Sequence, residues 1–170
     1  DLKKHCPQNQ IMFMVKADAY GHGMIPIVRY SQVECDINEF GVATLDEAIK
    51  IRYELPDLDN DLYVFSNLNL EENSNLYAEM KIIPVLSSLP MLDLFLKNNY
   101  LKEVPLVIKL NTGMNRLGIS QSEVGLMIDK IKSNGRNKIY HLMTHLSSSS
   151  EKMDANNKSH KKNEIFDQII

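Results

Sequence analysis

The chain is poor in several features that would place it in a specialised class. Its 170 residues include only two cysteines, Cys6 and Cys35, set far apart with no CxxC or Cys/His ligand spacing. That usage excludes a disulfide framework and a cysteine-based zinc site, and it fits a reducing, cytoplasmic setting. No apolar run approaches the roughly 20 residues needed to span a bilayer. The opening DLKKHCPQNQ also lacks the apolar core of a signal peptide, so no membrane partner is expected. A dominant charge is missing too. Nineteen Lys and Arg against 22 Asp and Glu give a formal net charge of -3, with no long basic run, which excludes the electrostatic footprint of a nucleic-acid binder. The short cluster Lys158, His160, Lys161 and Lys162 reads as a solvated helix face. No repeat, low-complexity segment or linker is evident, so residues 1–170 read as one domain. The chain starts without methionine and stops inside the helix-like run EIFDQII, so both ends read as cut.

What is present is a regular alternation. Short apolar runs recur as IMFMV (11–15), FGVA (40–43), LYVF (62–65), IIPVL (82–86), PLVIKL (105–110) and IYHLM (139–143), the pattern of buried strands. Segments of helical period lie between them. Thr44 with Glu47 forms a capping-box pattern, Ser88 followed by Pro90 opens a second helix, and Ser120 with Glu123 opens a third that ends at Asn134-Gly135. Alternating strand and helix predicts an α/β fold: a parallel sheet with helices outside it, either open and doubly wound or closed into a barrel. An eight-stranded βα barrel takes about 250 residues. Six strands in 170 residues would therefore be a barrel with pieces missing.

Three segments carry chemistry. In VKADAYGHG, residues 15–23, Lys16 leaves the carboxyl end of a strand, where α/β folds build their sites. A lysine amine partly withdrawn from water there can attack an aldehyde and form a Schiff base, although a lysine merely snorkelling to water is the plainer alternative. Gly21 and Gly23 follow a strand, but Pro26 stands where a dinucleotide fingerprint needs a third glycine. In KLNTGMNRLGI, residues 109–119, Lys109 and Asn111 alternate onto one strand face. The following loop offers Arg116 between Gly113 and Gly118, suited to a carboxylate or phenolate, unless it is a plain surface arginine. In YHLMTHLSSSSE, residues 140–151, His141 and His145 are four apart on a strand, too far separated to chelate one metal, so no metal site is expected.

Taken in this order and at these separations, VKADAYGHG, LNTGMNRLGI and MTHLSSSSE closely resemble the alanine racemase family of fold-type III pyridoxal-phosphate (PLP) enzymes. The GVATLDEAIKIR stretch falls at the family's distance after the first motif, so the resemblance covers nearly the whole chain. It implies a partial (β/α)8 TIM barrel of parallel strands with outer helices, incomplete at both ends and without the family's C-terminal β-domain. It also implies a PLP-dependent isomerase that interconverts L- and D-alanine and supplies D-alanine to the peptidoglycan of the cell wall. The full-length protein would act as a homodimer. Matched residue by residue, Lys16 carries PLP as a Schiff base and is the base on one substrate face, and Tyr20 binds the cofactor phosphate. Arg116 contacts the phenolic oxygen and the substrate carboxylate, His145 packs beside the pyridine ring, and Lys109 matches a lysine that many members carry as a carbamate. Two cations about 4 Å apart repel by several kcal/mol at an effective dielectric near 20, and a carbamate turns that repulsion into attraction. The family's usual aspartate is here Asn111, which makes the carbamate more necessary.

Leu146 stands where phenylalanine is usual, and Ser149-Ser150 replace a common Ala-Asp pair. The arginine at the pyridine nitrogen and the tyrosine base of the β-domain match nothing in these residues. Racemases of serine, lysine or broader range, and a noncatalytic PLP-binding barrel, are the competing readings. Racemisation needs a proton carrier on each face of a planar carbanion. The 170-residue chain alone is therefore expected to be inactive, and racemised alanine from it in chiral chromatography would overturn that expectation. Native mass measurement of an active, fully occupied protein with unmodified Lys109 would likewise overturn the carbamate.

Overall fold

A computed structural model describes residues 7–136, 138–146 and 164–167. The basic cluster at Lys158, His160, Lys161 and Lys162, residues 147–151 of the third motif, and Cys6 lie outside the described residues. The chain divides into two compact units, one within Asp1–Asn69 and Asn75–Pro84, the other within Leu70–Ser74 and Val85–Ile170.

In the first unit, strands β1 (Met12–Met14), β2 (Glu39–Val42), β3 (Asp61–Val64) and the first half of β4 (Ile82–Leu86) pair in sequence order, all parallel. The register runs Met14↔Gly41, Val42↔Val64 and Val64↔Pro84. Helix α1 (Met24–Cys35) follows β1, and α2 (Leu45–Glu54) follows β2. Parallel pairing demands such crossovers, and it buries both sheet faces, which is why these strands read as nearly continuous apolar runs. Phe40, Val42, Leu62, Tyr63, Val64, Ala48 and Ile51 are buried accordingly.

In the second unit the remainder of β4 pairs with β5 (Val107–Asn111), which also pairs with β7 (His141–Met143). The far end of β5 takes a two-residue strand, β6 (Ile119–Ser120), through Leu110↔Ile119 and Asn111↔Ser120. Helix α3 (Leu70–Glu79), of which only Leu70–Ser74 belong to this unit, precedes β4, α4 (Leu89–Lys97) follows it, and α5 (Val124–Ser133) follows β6. Each of the six apolar runs holds a strand. Strand β6 was not anticipated.

The named helix starts are all present. Thr44 Oγ1 accepts from the Glu47 N–H at 3.4 Å while Glu47 reaches back to the Thr44 N–H, and Ser88 Oγ accepts from the Met91 N–H. At Ser120 the capping box closes on a single tight turn, Gln121–Glu123, before α5 begins. Helix α5 ends at Asn134, followed by Gly135 in the left-handed region (φ 79°), as the Asn-Gly pair predicts. No helix among the described residues is long and apolar enough to cross a membrane.

Two arginines act as internal clamps. Arg52 of α2 donates to the Met80 and Lys81 carbonyls and to both oxygens of Asn60, joining its helix to the start of β3 and the turn into β4. Burial lowers its pKa from the ordinary arginine value. Arg136 donates to the Leu101, Lys102 and Val104 carbonyls and stacks over Phe95 at 4.7 Å. Replacing Arg52 by Ala leaves four acceptors without their cation and should lower stability by about 2–4 kcal/mol in urea unfolding. Arg52→Lys should restore less than half of that loss, since one ammonium lacks the planar fork.

Candidate active site

The first motif folds in a way that its residue types alone do not favour. After β1, Val15 is fully buried and its N–H donates to the Gly41 carbonyl at 2.8 Å. The chain then makes one left-handed helical turn: Ala17, Asp18, Ala19 and Tyr20 all have φ of 52–54° and ψ of 36–50°. None is glycine, and each costs about 1–2 kcal/mol in this region, so the turn stores about 4–8 kcal/mol that its surroundings must offset.

The offsets are visible. Within the turn the Ala19 N–H donates to Val15 O and the Gly23 N–H to Asp18 O, both at 2.9 Å. Asp18 Oδ1 accepts from the Met24 N–H at 2.8 Å, which places a carboxylate at the start of α1. The His22 ring nitrogen Nδ1 lies 3.0 Å from Ala19 O. Glu47 of α2 reaches across 30 residues to accept the Ala17 N–H at 2.7 Å. Only Ala19 of the four is buried, so a small side chain is needed there.

This turn sets the first two candidate residues side by side. Lys16 is half-buried, and its Nζ lies 6.0 Å from the centroid of the Tyr20 ring, within reach of a cation–π contact. Tyr20 itself is 62% exposed, so its hydroxyl is free to meet a ligand. The glycines do make the exit from strand to helix, as expected: Gly21 and Gly23 take φ of 85° and 90° before α1 begins.

Lys109, Arg116 and His145 belong to the second unit. Lys109 is buried in the middle of β5, level with Met143 of β7. Asn111, at the end of that strand, organises the arginine loop. Its Oδ1 accepts the Gly113 and Asn115 N–H groups at 3.0 and 3.1 Å, and its Nδ2 donates to Asn115 Oδ1 at 3.0 Å. The amide thus keeps both acceptor contacts that a carboxylate could make to the backbone and adds a donor. Arg116 is exposed. With Ser87, Ser88, Met91, Asn111 and Gly118 it lines an open cavity of about 470 Å³, whose hydroxyls, amide and guanidinium suit an anionic or carboxylate group.

His145 follows β7 and is exposed. The residue before it does the anchoring. Thr144 Oγ1 donates to Leu110 O at 3.1 Å and lies 2.8 Å from Thr112 Oγ1, so the end of β7 is held to the end of β5. Among the described residues no group of three or more His, Cys, Asp or Glu is placed to hold a metal ion.

Sequence reasoning missed the anchoring residues. Glu47 reads as a helix cap, and Asp18, Thr112 and Thr144 carry no signal beyond lying inside the motifs. The placement of Thr112 and Thr144 directly after strands could have pointed to those two.

The family model for the alanine racemase N-terminal domain matches residues 1–170. The chain belongs to that family. Curated relatives agree: it is 30% identical over 146 residues to the alanine racemase of Coxiella burnetii (strain Dugway 5J108-111), covering 85% of this chain and 39% of that protein. It is 31% identical over 157 residues to that of Aeromonas hydrophila, covering 88% and 41%. The chain thus spans about two fifths of the length of these relatives. Among solved structures, the alanine racemase of Bartonella henselae with covalently bound pyridoxal phosphate superposes with a TM-score of 0.81 at 25% identity, over 99% of this chain and 48% of that one. That of Oenococcus oeni gives 0.80 at 22% identity, with the same coverage. The fold is accordingly the partial βα barrel expected for the family, parallel strands with outer helices.

Gly118 decides how the arginine loop closes. At φ 129°, a Cβ there would stand 2.6 Å from the Asn111 nitrogen and from the Leu110 carbonyl carbon. Both are backbone atoms of β5 and cannot retreat. Gly118→Ala should therefore detach β6 and cost more than about 2 kcal/mol. Lowered urea stability together with faster amide exchange at Ile119 and Ser120 would verify it.

Proposed function

We propose that this chain is the cofactor-carrying part of a PLP-dependent alanine racemase, with Lys16 as the residue that binds the cofactor. The observation that carries the reading is the left-handed turn, which presents the Lys16 amine and the Tyr20 phenol together at the end of β1. The donor set fits PLP. An amine is what an aldehyde requires, and an exposed hydroxyl suits a phosphate. Bound PLP supplies the electron sink that makes the α-proton of an amino acid removable.

The remaining work falls to side chains. Lys16 holds the cofactor and moves the α-proton on one face of the substrate at its Nζ. Tyr20 donates its hydroxyl hydrogen bond to the phosphate. Arg116 would bind the substrate carboxylate and the cofactor's phenolic oxygen, and His145 would be the residue for the pyridine ring. The cavity at Arg116 supports a carboxylate partner, since its other polar lining groups are neutral. Lys109, buried in β5, is carried as a carbamate in this reading, because a carbamate can be neutralised by a guanidinium where an ammonium cannot. The proton carrier on the opposite face comes from outside these residues, in a homodimer of the full-length protein. Its setting is the cytoplasm, where D-alanine is made for peptidoglycan.

The test is to incubate the full-length protein with PLP, reduce with borohydride and map the adduct by peptide mass spectrometry. A single adduct at Lys16, absent in Lys16→Ala, is expected. Labelling scattered over surface lysines would overturn the assignment. In the same protein, Arg116→Lys should lower kcat/KM for alanine by about a hundredfold, because an ammonium cannot give the paired contact of a guanidinium.

A further inference from the structure

Glu47 is the N3 residue of an ordinary capping box, yet its contacts are out of proportion to that task. The capping contact itself, from the Thr44 N–H to Oε2, is the longest it makes, at 3.4 Å. The shorter ones go elsewhere: Oε2 accepts the Ala43 N–H at 2.8 Å, and Oε1 accepts the Ala17 N–H at 2.7 Å. One carboxylate thus joins the end of β2, the start of α2 and the first left-handed residue after Lys16. Charge-assisted bonds of this length are the strong ones.

The location matters as much as the length. The far end of the left-handed turn is tied by Asp18 to Met24 and Gly23, and its middle by Ala19 to Val15. The Ala17 N–H lies at the near end, immediately after Lys16, where the chain passes from extended to left-handed backbone. Helices do not form left-handed turns of ordinary residues unless neighbours impose them.

We propose that Glu47 is a positioning residue for Lys16: by gripping the Ala17 N–H, it fixes the left-handed turn and so sets where the Lys16 amine and Tyr20 phenol stand. The role toward the cofactor rests on the function proposed above, while the hold on the turn does not. A plain helix cap would make Glu47 and Thr44 equivalent, whereas a positioning residue makes them differ. Thr44→Ala removes the other half of the capping box and leaves the Ala17 contact intact.

The experiment compares Glu47→Ala, Glu47→Gln and Thr44→Ala in the full-length protein by two readouts. The first is amide exchange across residues 17–21 without PLP. The second is the fraction of borohydride-reduced PLP found on Lys16 rather than on other lysines. Glu47→Ala should speed exchange at Ala17 and lower the Lys16 selectivity by about tenfold each, whereas Thr44→Ala leaves both near wild type even if the melting temperature falls equally. Glu47→Gln, which keeps a carbonyl oxygen for Ala17, should recover much of the selectivity. Should Glu47→Ala fail to fold, Glu47→Asp, too short to bridge both elements, takes its place with the same expectation. Equal behaviour of the Glu47 and Thr44 variants in exchange would overturn the proposal. If the wild-type protein takes no PLP at Lys16, the functional reading fails, and the exchange comparison still decides whether Glu47 holds the turn.

Discussion

Four successive left-handed residues between β1 and α1 are the constraint around which the first unit is arranged. No local propensity favours them. Alanine, aspartate and tyrosine all prefer right-handed or extended backbone, and the cost accumulates along the turn. Every strong polar contact nearby can be understood as an answer to that cost: the Val15 N–H on Gly41, the Asp18 carboxylate at the start of α1, the Glu47 carboxylate on Ala17. Strain of this size persists only where the surroundings over-determine it, and such places are commonly functional. Here the strained turn begins at the lysine.

The second unit solves a different problem, that of turning a chain sharply at the end of a buried strand. Strand β5 is buried from Val107 to Leu110 and must hand over to an exposed loop within three residues. Asn111 manages the exit by accepting two backbone N–H groups, and Gly118 permits the return, passing so close to β5 that no side chain fits. The outcome is a loop whose two ends are fixed to one strand and whose middle offers Arg116 to the cavity. Thr144 adds the neighbouring strand to the same arrangement through Leu110 and Thr112.

Legibility in the sequence followed the range of the interactions. The strand runs, the Thr44, Ser88 and Ser120 helix starts and the Asn134-Gly135 stop depend on neighbours within a few residues, so pattern alone located them. Strand β6 was invisible because two residues carry no period, and its pairing is dictated by Gly118 and the return of the loop. The placement of Lys16 at the end of β1 could be inferred from alternation. The left-handed turn that carries it could not, because what enforces it is a carboxylate 30 residues away. Asn111 is an exception: its three hydrogen bonds reach only two to four residues along the chain, yet the residue type alone reads as no more than a departure from the family. The order and spacing of the three motifs pointed to the alanine racemase family before any geometry, and the family model matches residues 1–170.

The tie between Glu47 and Ala17 also has a bearing on when the site comes into being. A left-handed turn of ordinary residues has no standing in the unfolded chain, and two of its ties, the Val15 N–H to Gly41 and the Ala17 N–H to Glu47, exist only once β2 has paired with β1 and α2 has begun. The lysine is therefore aimed late, after its half of the sheet exists. A nascent or partly unfolded chain carries the same amine but without its bearing, no different from any other lysine in the sequence.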